Sequence, residues 1–450
     1  MLDDLKLKED ILLGKTKLDL KKQTHMEFFQ EVFGLFQTAK KMYEKMYEYY
    51  TGKTDAIQNY KLVTDRSNLK INLNYIKKFV KEEVSYSVGK ELAYESVEGN
   101  KDFIKDINYT ISHWKSNHDS DLMKYLLLFG EIFELYYRDK TTKDFSSKII
   151  KPTEGFILTD NSDNVILFLH YFKSNFSDKY FIDVYTESTI YRLNEGFEIL
   201  DSDINIFKKV PVSHGVLSYE KQFDTIYNDI KGLQDAFETN LSDIANEISD
   251  FRNAYLLFCN ADLDEETAKE MKEKGIIILA GDKSKAEWLI KNINDSFIQN
   301  TINTYEDKIY QIGCHINANE KMQSNTSSLA LRARLNAMEN KCTLNQNSHK
   351  DIVKNRVRFI CQFLKFNGKE YDPKDIRIKY TANIPQDDLM TAQILSQVPE
   401  GTISKETGRS LFSFIANSLV EAEKVNKEMS EELNKFPGEL FHNDLGESNG

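Results

Sequence analysis

Residues that break helices or form disulfides are scarce in this chain of 450 residues. It contains 19 Gly, 6 Pro and 4 Cys, and no two cysteines are separated by only two residues. Glycine and proline together have about half of their usual share of roughly 12%, which excludes collagen-like and disordered classes. Scarce cysteine without a close pair excludes a disulfide framework and is typical of a protein in a reducing cytosol.

Positive charge and long apolar runs are also scarce. Lys and Arg number 59 against 71 Asp and Glu, for a formal net charge of −12. This balance excludes a protein that coats nucleic acid through general positive charge, so any contact with DNA must be local. The most apolar runs, 165–169 and 275–280, are far below the roughly 20 residues that span a bilayer, and the N-terminus lacks a signal-peptide pattern. The sequence predicts neither secretion nor a membrane span.

Aromatic residues are abundant instead, with 28 Phe and 23 Tyr. Amphipathic patterns predict helices over 26–50, 68–89 and 120–137, the first ending at a glycine cap at Gly52. From 148 to 220, short β-branched and aromatic runs separated by turn residues predict a sheet. The predicted fold class is α+β and predominantly helical, with length for roughly three domains.

Two heptad-like apolar stripes predict a pair of long helical legs. Apolar residues recur every three or four positions from 226 to 258, and again from 298 to 316. The acidic residues of the first leg fall outside its stripe, most of them on the opposite arc: Asp229, Asp235, Glu238, Asp243, Glu247 and Asp250. Such stripes can pack within one chain or between copies, and the pattern alone leaves both open.

The residues between the legs predict a small α/β unit. It would contain a short helix that starts near Asp264, a strand over 276–279 and a second strand over 288–290. After the second leg, the polar residues 317–328 predict a loop that opens onto a helix continuing to about Phe366.

That helix is basic in an otherwise acidic protein. Residues 327–366 hold eight Lys or Arg and two acidic residues, which fits either a solvated face or a contact with a polyanion. Further on, the pattern predicts a strand over 375–382 and helices over 386–435, followed by an acidic tail.

Motifs for chemistry are incomplete. Gly14-Lys-Thr16 and Gly52-Lys-Thr54 resemble the end of a phosphate loop, but Glu9 and Tyr47 stand where that loop needs its first glycine. The histidines form no helix-face metal pair, Asp387-Asp388 has no third ligand, and no nucleophile motif is present. The sequence therefore predicts no enzyme, no catalytic residue, no metal site and no cofactor.

Several stretches, together with this order of elements, carry a resemblance to a known family: Tyr49–Gly52, Asn68–Tyr75, Val84–Gly89, Ile384–Gln393, Gly401–Thr407, Glu421 and Glu428. The chain resembles the portal proteins, or head-to-tail connectors, of tailed bacteriophages, and looks like the type found in long-tailed phages of Gram-positive hosts. The resemblance implies a ring of twelve copies at one capsid vertex, through which double-stranded DNA is packaged and later ejected. The implied partners are the terminase large subunit, a head-completion or adaptor protein, and the major capsid and scaffolding proteins. The implied location is the virion, assembled in the cytoplasm of the host bacterium.

The resemblance also divides the chain into the parts of a portal subunit. These are the wing (1–225, with 329–385 returning to it), two stem helices (226–260 and 297–317), the clip (261–296), the tunnel loop (318–328), and the crown with the acidic tail (386–450). At the exit of the tunnel loop the family typically has a Ser-Gly step, where this chain has Ser327-Ser328.

Four sets of site residues are expected. Polar tunnel-loop residues would touch phosphates without reading bases: Lys321, Gln323, Asn325 and Thr326. Acidic stem residues would line the channel and repel phosphate, so that DNA slides: Asp235, Asp243, Glu247 and Asp250. Charged clip residues would meet terminase and the connector: Glu270, Glu273, Lys274 and Lys283. The basic helix is represented by Arg332, Arg334 and Lys341.

A different class of protein fits some of the same features. A cytosolic helical adaptor could bind protein partners through its acidic face and stripes, without DNA. An enzyme acting on DNA would require a metal-binding carboxylate cluster, which the sequence does not supply. A central hole wide enough for duplex DNA would distinguish a portal from an adaptor.

Overall fold

The computed structural model describes residues 2–61, 67–251, 255–259, 264–274, 283, 285–289, 295–317, 328–381, 388–399, 401–412, 414–415 and 418–435. The chain divides into two units, 1–383 and 384–450. Helices and antiparallel sheets are both present, which confirms the predicted mixed fold class.

The first unit contains long helices and antiparallel strands. Its helices are α1 (Leu2–Leu12), α2 (Gln23–Tyr50), α3 (Asp55–Gln58), α4 (Tyr75–Val88), α5 (Lys101–Ile111), α6 (His118–Phe129), α7 (Ile226–Phe251), α8 (Glu265–Lys274), α9 (Asp295–Gly313) and α10 (Ser328–Phe366). Its strands are β1 (Ala93–Ser96), β2 (Glu131–Arg138), β3 (Phe145–Ile150), β4 (Gly155–Thr159), β5 (Val165–Lys173), β6 (Tyr180–Thr186), β7 (Thr189–Asn194), β8 (Ile199–Ile204), β9 (Val212–Val216), β10 (Tyr255–Cys259), β11 (Lys285–Leu289) and β12 (Ile376–Lys379).

The strands form a set of separate sheets. Strands β4 to β8 follow one another in a meander, β2 lies between β3 and β9, and the pairs β1–β12 and β10–β11 stand apart. The meander packs against the aromatic face of α2, where Phe29 and Phe36 are fully buried. A separate cluster packs α10 against β1, β12 and the β2 sheet through Val353, Val357 and Ile360.

The predicted helix over 120–137 is wrong in its second half, because α6 ends at Phe129 and residues Glu131–Arg138 form a strand. Gly130 makes the break: it adopts the left-handed conformation, with φ of +77°, and a Cβ there would lie 2.3 Å from the Lys221 carbonyl oxygen. The first six residues of β2 are buried on both faces. A strand of this kind has no polar alternation, so the sequence could not separate it from a buried helix.

The predicted helix over 68–89 also begins later than expected, at Tyr75. Asn74 caps it, since its side chain accepts a hydrogen bond from the Lys77 amide at 3.2 Å. The end of α2 is as predicted, with Gly52 at a φ of +89°.

The legs are shorter than their stripes. The helix expected over 226–260 ends at Phe251, and Tyr255–Cys259 is a strand paired with Lys285–Leu289. The second leg helix ends at Gly313 instead of 317, and α10 already includes Ser328, which was assigned to the loop. The short helix near Asp264 is confirmed as α8, with Asp264 accepting from the Thr267 amide at 2.8 Å. The expected strand 276–279 lies outside the described residues.

The second unit is helical where it is described. Its helices are α11 (Asp388–Gln397), α12 (Lys405–Ser410) and α13 (Ser418–Lys435). The Ser404 hydroxyl caps α12 by accepting from the Thr407 amide at 3.0 Å. The acidic tail beyond residue 435 lies outside the described residues.

Candidate functional site

The two leg helices, α7 and α9, pack against each other through their apolar stripes. Phe237 stacks on Tyr305 with ring centroids 5.8 Å apart, and Ile309 is fully buried beside them. Helix α4 closes one side of the pair, where Tyr75 contacts Phe237 at 6.2 Å and Tyr310 at 5.8 Å. Part of the stripe is therefore covered within the chain.

Among the described stripe residues, two are exposed in a single copy. Ile248 on α7 is 56% exposed and Ile312 on α9 is 45% exposed. Phe297, in the first turn of α9, is 69% exposed. Large apolar side chains exposed along one pair of helices mark a surface for contact with another protein or another copy.

The acidic arc of α7 is contacted by described residues between the end of α2 and the start of α4. The Tyr49 hydroxyl donates to Asp235 at 2.8 Å, and the Tyr60 hydroxyl donates to Asp243 at 2.7 Å. Nearer the middle of the arc, the Ile71 amide donates to the Ser242 hydroxyl at 2.9 Å. Backbone and hydroxyl donors of residues 49–60 and 69–73 therefore satisfy acceptors along this arc.

The charge of Asp235 is balanced by nearby lysines. Lys231 lies 2.8 Å from Asp235 and 2.9 Å from Asp55, and Lys45 also pairs with Asp55. Although burial opposes the shift, hydrogen bonds from Lys45 and Lys231 lower the pKa of Asp55 to about 2. Two carboxylates thus face two ammonium groups, and Asp235 does not present an isolated negative charge.

Glu238 is the most enclosed acid of the same arc and is fully buried. Its carboxylate accepts from the Thr54 hydroxyl, from the Leu73 amide at 3.1 Å and from the Gln234 side chain at 3.0 Å. A buried carboxylate is tolerated only with such a set of donors. Glu238 therefore ties the covering segment to the first leg.

A second polar cluster lies where the second leg ends. The His315 ring is buried between Glu82 at 2.7 Å and Glu83 at 3.1 Å, and Lys341 from α10 lies 2.9 Å from Glu83. The sequence gave no sign of the glutamate partners of His315, which lie more than 200 positions away in the chain.

The structure places the remaining expected site residues as follows. Three of the expected clip residues have exposed side chains and are close in sequence to β10 and β11: Glu270, Glu273 and Lys283. Glu247 on α7 is partly exposed. Lys274, Asp250, Arg332 and Arg334 lie in helices, but their side chains are outside the described set. The expected DNA contacts Lys321, Gln323, Asn325 and Thr326 also lie outside the described residues. Lys341 is paired with Glu83 and is not an open basic residue.

The basic helix α10 also contains a buried arginine. Arg356 is fully buried and pairs with Glu134 at 2.9 Å and with Asp119 at 2.7 Å. Burial opposes ionisation of Glu134, but Arg356 and His118 lower the pKa of Glu134 to about 2. Part of the positive charge counted along this helix therefore belongs to the core.

A groove of about 710 Å³ lies between α2 and the sheets, lined by lysines and aromatic rings. Lys148 lies 5.7 Å above the Phe172 ring and 3.5 Å from the His170 ring. Burial, together with the cations Lys148 and Arg192, lowers the pKa of His170 to about 3. His170 is therefore neutral at physiological pH.

Across the described ranges, no helix is both long and apolar enough to cross a bilayer. Within the same part of the chain, no group of three or more His, Cys, Asp or Glu side chains is placed to hold a metal ion.

The chain is similar to several solved structures and to one family model. Solved structures similar to this chain include the neck of an empty gene transfer agent (GTA) particle computed with C6 symmetry (9% identity, TM-score 0.47), the virion of a native GTA particle (10%, 0.45) and the neck of a native GTA particle computed with C12 symmetry (10%, 0.47). Each match covers 74% of this chain and 88% of the other. No match was found among curated proteins. The family model described as "Phage portal protein, SPP1 Gp6-like" matches residues 35–435. The chain belongs to the SPP1 Gp6-like family of phage portal proteins.

Proposed function

We propose that this protein is the portal subunit of a tailed phage and forms a ring of twelve copies at one capsid vertex. Double-stranded DNA would be packaged through the ring by the terminase motor and later ejected. The observation that carries the proposal is the family match over residues 35–435. This family is structural and non-enzymatic, so the protein acts as a passage and a docking platform.

The leg helices support assembly into a ring. Ile248 and Ile312 leave apolar surface open along the pair, and a neighbouring copy would cover it. Among the described residues, β10 and β11 pair only with each other, and a strand of the next copy would cover an edge of this two-stranded sheet. Both kinds of contact repeat identically around a closed ring.

The path of DNA is proposed from the residues around the legs. Lys321, Gln323, Asn325 and Thr326 would touch phosphates in the tunnel loop. Repulsion of phosphate would come mainly from the distal acids of α7, which are Asp243, Glu247 and Asp250. Asp235 adds little repulsion, because Lys231 lies 2.8 Å from it.

The docking partners are proposed from the exposed charges between the legs. Glu270, Glu273 and Lys283 are exposed, and with Lys274 they would contact the terminase large subunit and then the head-completion or adaptor protein. Arg332 and Arg334, in the first turns of α10, would lie beside the tunnel loop. The major capsid and scaffolding proteins would surround the wing, in a virion assembled in the cytoplasm of a Gram-positive host.

The experiment replaces the four tunnel-loop residues Lys321, Gln323, Asn325 and Thr326 by alanine and measures DNA packaging and retention. Rings are expected to form normally, while packaged DNA falls at least tenfold. The matched control is Lys354→Ala, which removes an exposed lysine of α10 whose only described ion pair is with Asp351. Unchanged packaging in the fourfold variant, with intact rings, would contradict the proposed DNA contact.

A further inference from the structure

His315 lies shortly before segment 318–327 and has contacts at both ring nitrogens and on one face of its ring. The side chain of His315 is 0% exposed. Its Nδ1 lies 2.7 Å from a Glu82 oxygen and its Nε2 lies 3.1 Å from a Glu83 oxygen. The ring stacks on Phe79 with centroids 4.0 Å apart and planes within 9°.

This geometry places an acceptor at each nitrogen of the ring. Each ring nitrogen faces one carboxylate oxygen, which accepts a hydrogen bond from a nitrogen that carries a hydrogen. The charged groups around it are Glu82 and Glu83 from α4, Lys341 from α10, and Lys78, which bonds Glu82. Burial opposes the charge on Glu83, but His315 and Lys341 lower the pKa of Glu83.

Glu83 also reaches the helix that leaves the segment. Lys341 on α10 lies 2.9 Å from Glu83 and donates to the Gly313 carbonyl at 3.2 Å, and Asn345 donates to Glu83 at 2.8 Å. Gly313 packs so closely on α4 that a Cβ would lie 2.8 Å from the Phe79 ring. The buried Glu83 carboxylate thus links His315, just after the last turn of α9, to Lys341 and Asn345 of α10.

We propose that His315 is a positioning residue: with Glu82, Glu83 and Lys341 it fixes both flanks of segment 318–327 to α4. Because α10 is continuous from Ser328, holding Lys341 also holds the start of that helix. A displacement of the segment by DNA is then transmitted to α4 and to the wing, instead of being lost at a hinge. The functional consequence rests on the proposed DNA contact of this segment, whereas the cluster itself does not.

The first test measures hydrogen–deuterium exchange of residues 311–317 in the purified full chain. His315→Phe keeps a ring to stack on Phe79 but removes both hydrogen bonds, and exchange is expected to rise at least tenfold. His315→Arg supplies several N–H donors to the two carboxylates and is expected to restore protection to within threefold of the natural protein. Exchange in His315→Phe within twofold of the natural protein would overturn the proposal.

A matched control comes from a partly buried histidine that pairs with a buried glutamate. His214 lies 2.9 Å from Glu131 and stacks on Phe133 at 5.2 Å. His214→Phe should leave exchange of 311–317 unchanged, and equal rises in both variants would indicate general destabilisation and overturn the proposal. Lys341→Met serves as the second variant, and it should also raise exchange of 311–317, because it releases Gly313 and Glu83 while His315 remains.

The second test measures DNA packaging with rings of the same variants. His315→Phe rings are expected to lose packaged DNA at least tenfold, and His315→Arg rings to recover it. Raised exchange with normal packaging would leave the cluster in place but contradict the proposed role of segment 318–327 in DNA contact. Normal exchange would reject the cluster whatever the packaging result.

Discussion

Arg356 shows that the role of a charged residue depends on whether its side chain is buried. It lies in the stretch 327–366, where the sequence counts a net positive charge, yet its side chain is buried against Glu134 and Asp119. Lys354, two positions earlier, is about half exposed and pairs only at the surface. A count of charges cannot separate the two, because burial depends on which face of α10 the sheet covers.

This difference predicts a large gap in stability between two variants. Arg356→Met leaves Glu134 and Asp119 without their buried partner and should lower the free energy of unfolding by about 3–5 kcal/mol. Asp351→Asn breaks only the exposed pair with Lys354 and should cost at most about 1 kcal/mol. Denaturant unfolding of both variants is the measurement, and similar losses would contradict the assigned role of Arg356.

Acid sensitivity is predicted from His170 and the buried glutamates. The pKa of His170 is lowered to about 3 in the folded state, so below its ordinary value of 6.5 only the unfolded chain gains the proton. Folding stability should therefore fall as the pH drops from 6.5 towards 3, by about 2 kcal/mol from His170 at pH 5. His349, with a pKa lowered to about 4 mainly by burial, adds to the same range.

The check compares denaturant midpoints of the natural protein and His170→Gln at pH 7 and pH 5. The variant should lose less stability between the two pH values. Below pH 4.5, Glu131 and Glu134 should add a further loss, because both pKa values are lowered to about 2 against the opposing effect of burial. An equal drop in both proteins between pH 7 and pH 5 would reject the contribution of His170.

At the scale of elements, the spacing of apolar residues and the turn residues predicted most of the helices, but not the elements against which each helix packs. α2 and α10 lie close to their predicted ranges, because each has an apolar face and a glycine shortly after its last residue, and α8 begins beside Asp264 as predicted. β2 was read as a continuation of α6, because a strand buried on both faces carries no alternation. The covering of the acidic arc by residues 49–60 and 69–73 depends on contacts across more than 150 positions, which a local pattern cannot contain.

Asp235 carries a prediction at this scale, since it joins the covering segment to the first leg. Asp235→Ala should lower the free energy of unfolding by about 1–3 kcal/mol, because Tyr49 and Lys231 lose a charged hydrogen-bond partner. DNA packaging by rings that do assemble should change little, since Lys231 already balances this charge. The control is Asp307→Ala, an exposed acid of α9.

Unfolding and packaging assays on both variants separate the two roles of Asp235. A stability loss no greater than that of the Asp307 variant would contradict its structural role. A strong packaging defect at normal stability would instead place Asp235 at the channel surface.

At the scale of the whole molecule, the resemblance seen in the sequence identified the right family, while the residues that touch DNA remain proposals. The family follows from the order of elements over most of the chain, and the match over 35–435 confirms it. A central channel is formed by several copies around an axis, so it is not a feature of one chain. What one chain does contain is open apolar surface at Ile248 and Ile312 on the legs.

The most direct measurement is electron microscopy of the purified full chain, with mass measured by light scattering. Closed rings are expected, with twelve copies and an axial hole wide enough for a DNA duplex. In these rings, α7 and α9 of each copy should pack on those of the next. A strictly monomeric protein at high concentration, or an assembly without an axial hole, would contradict it.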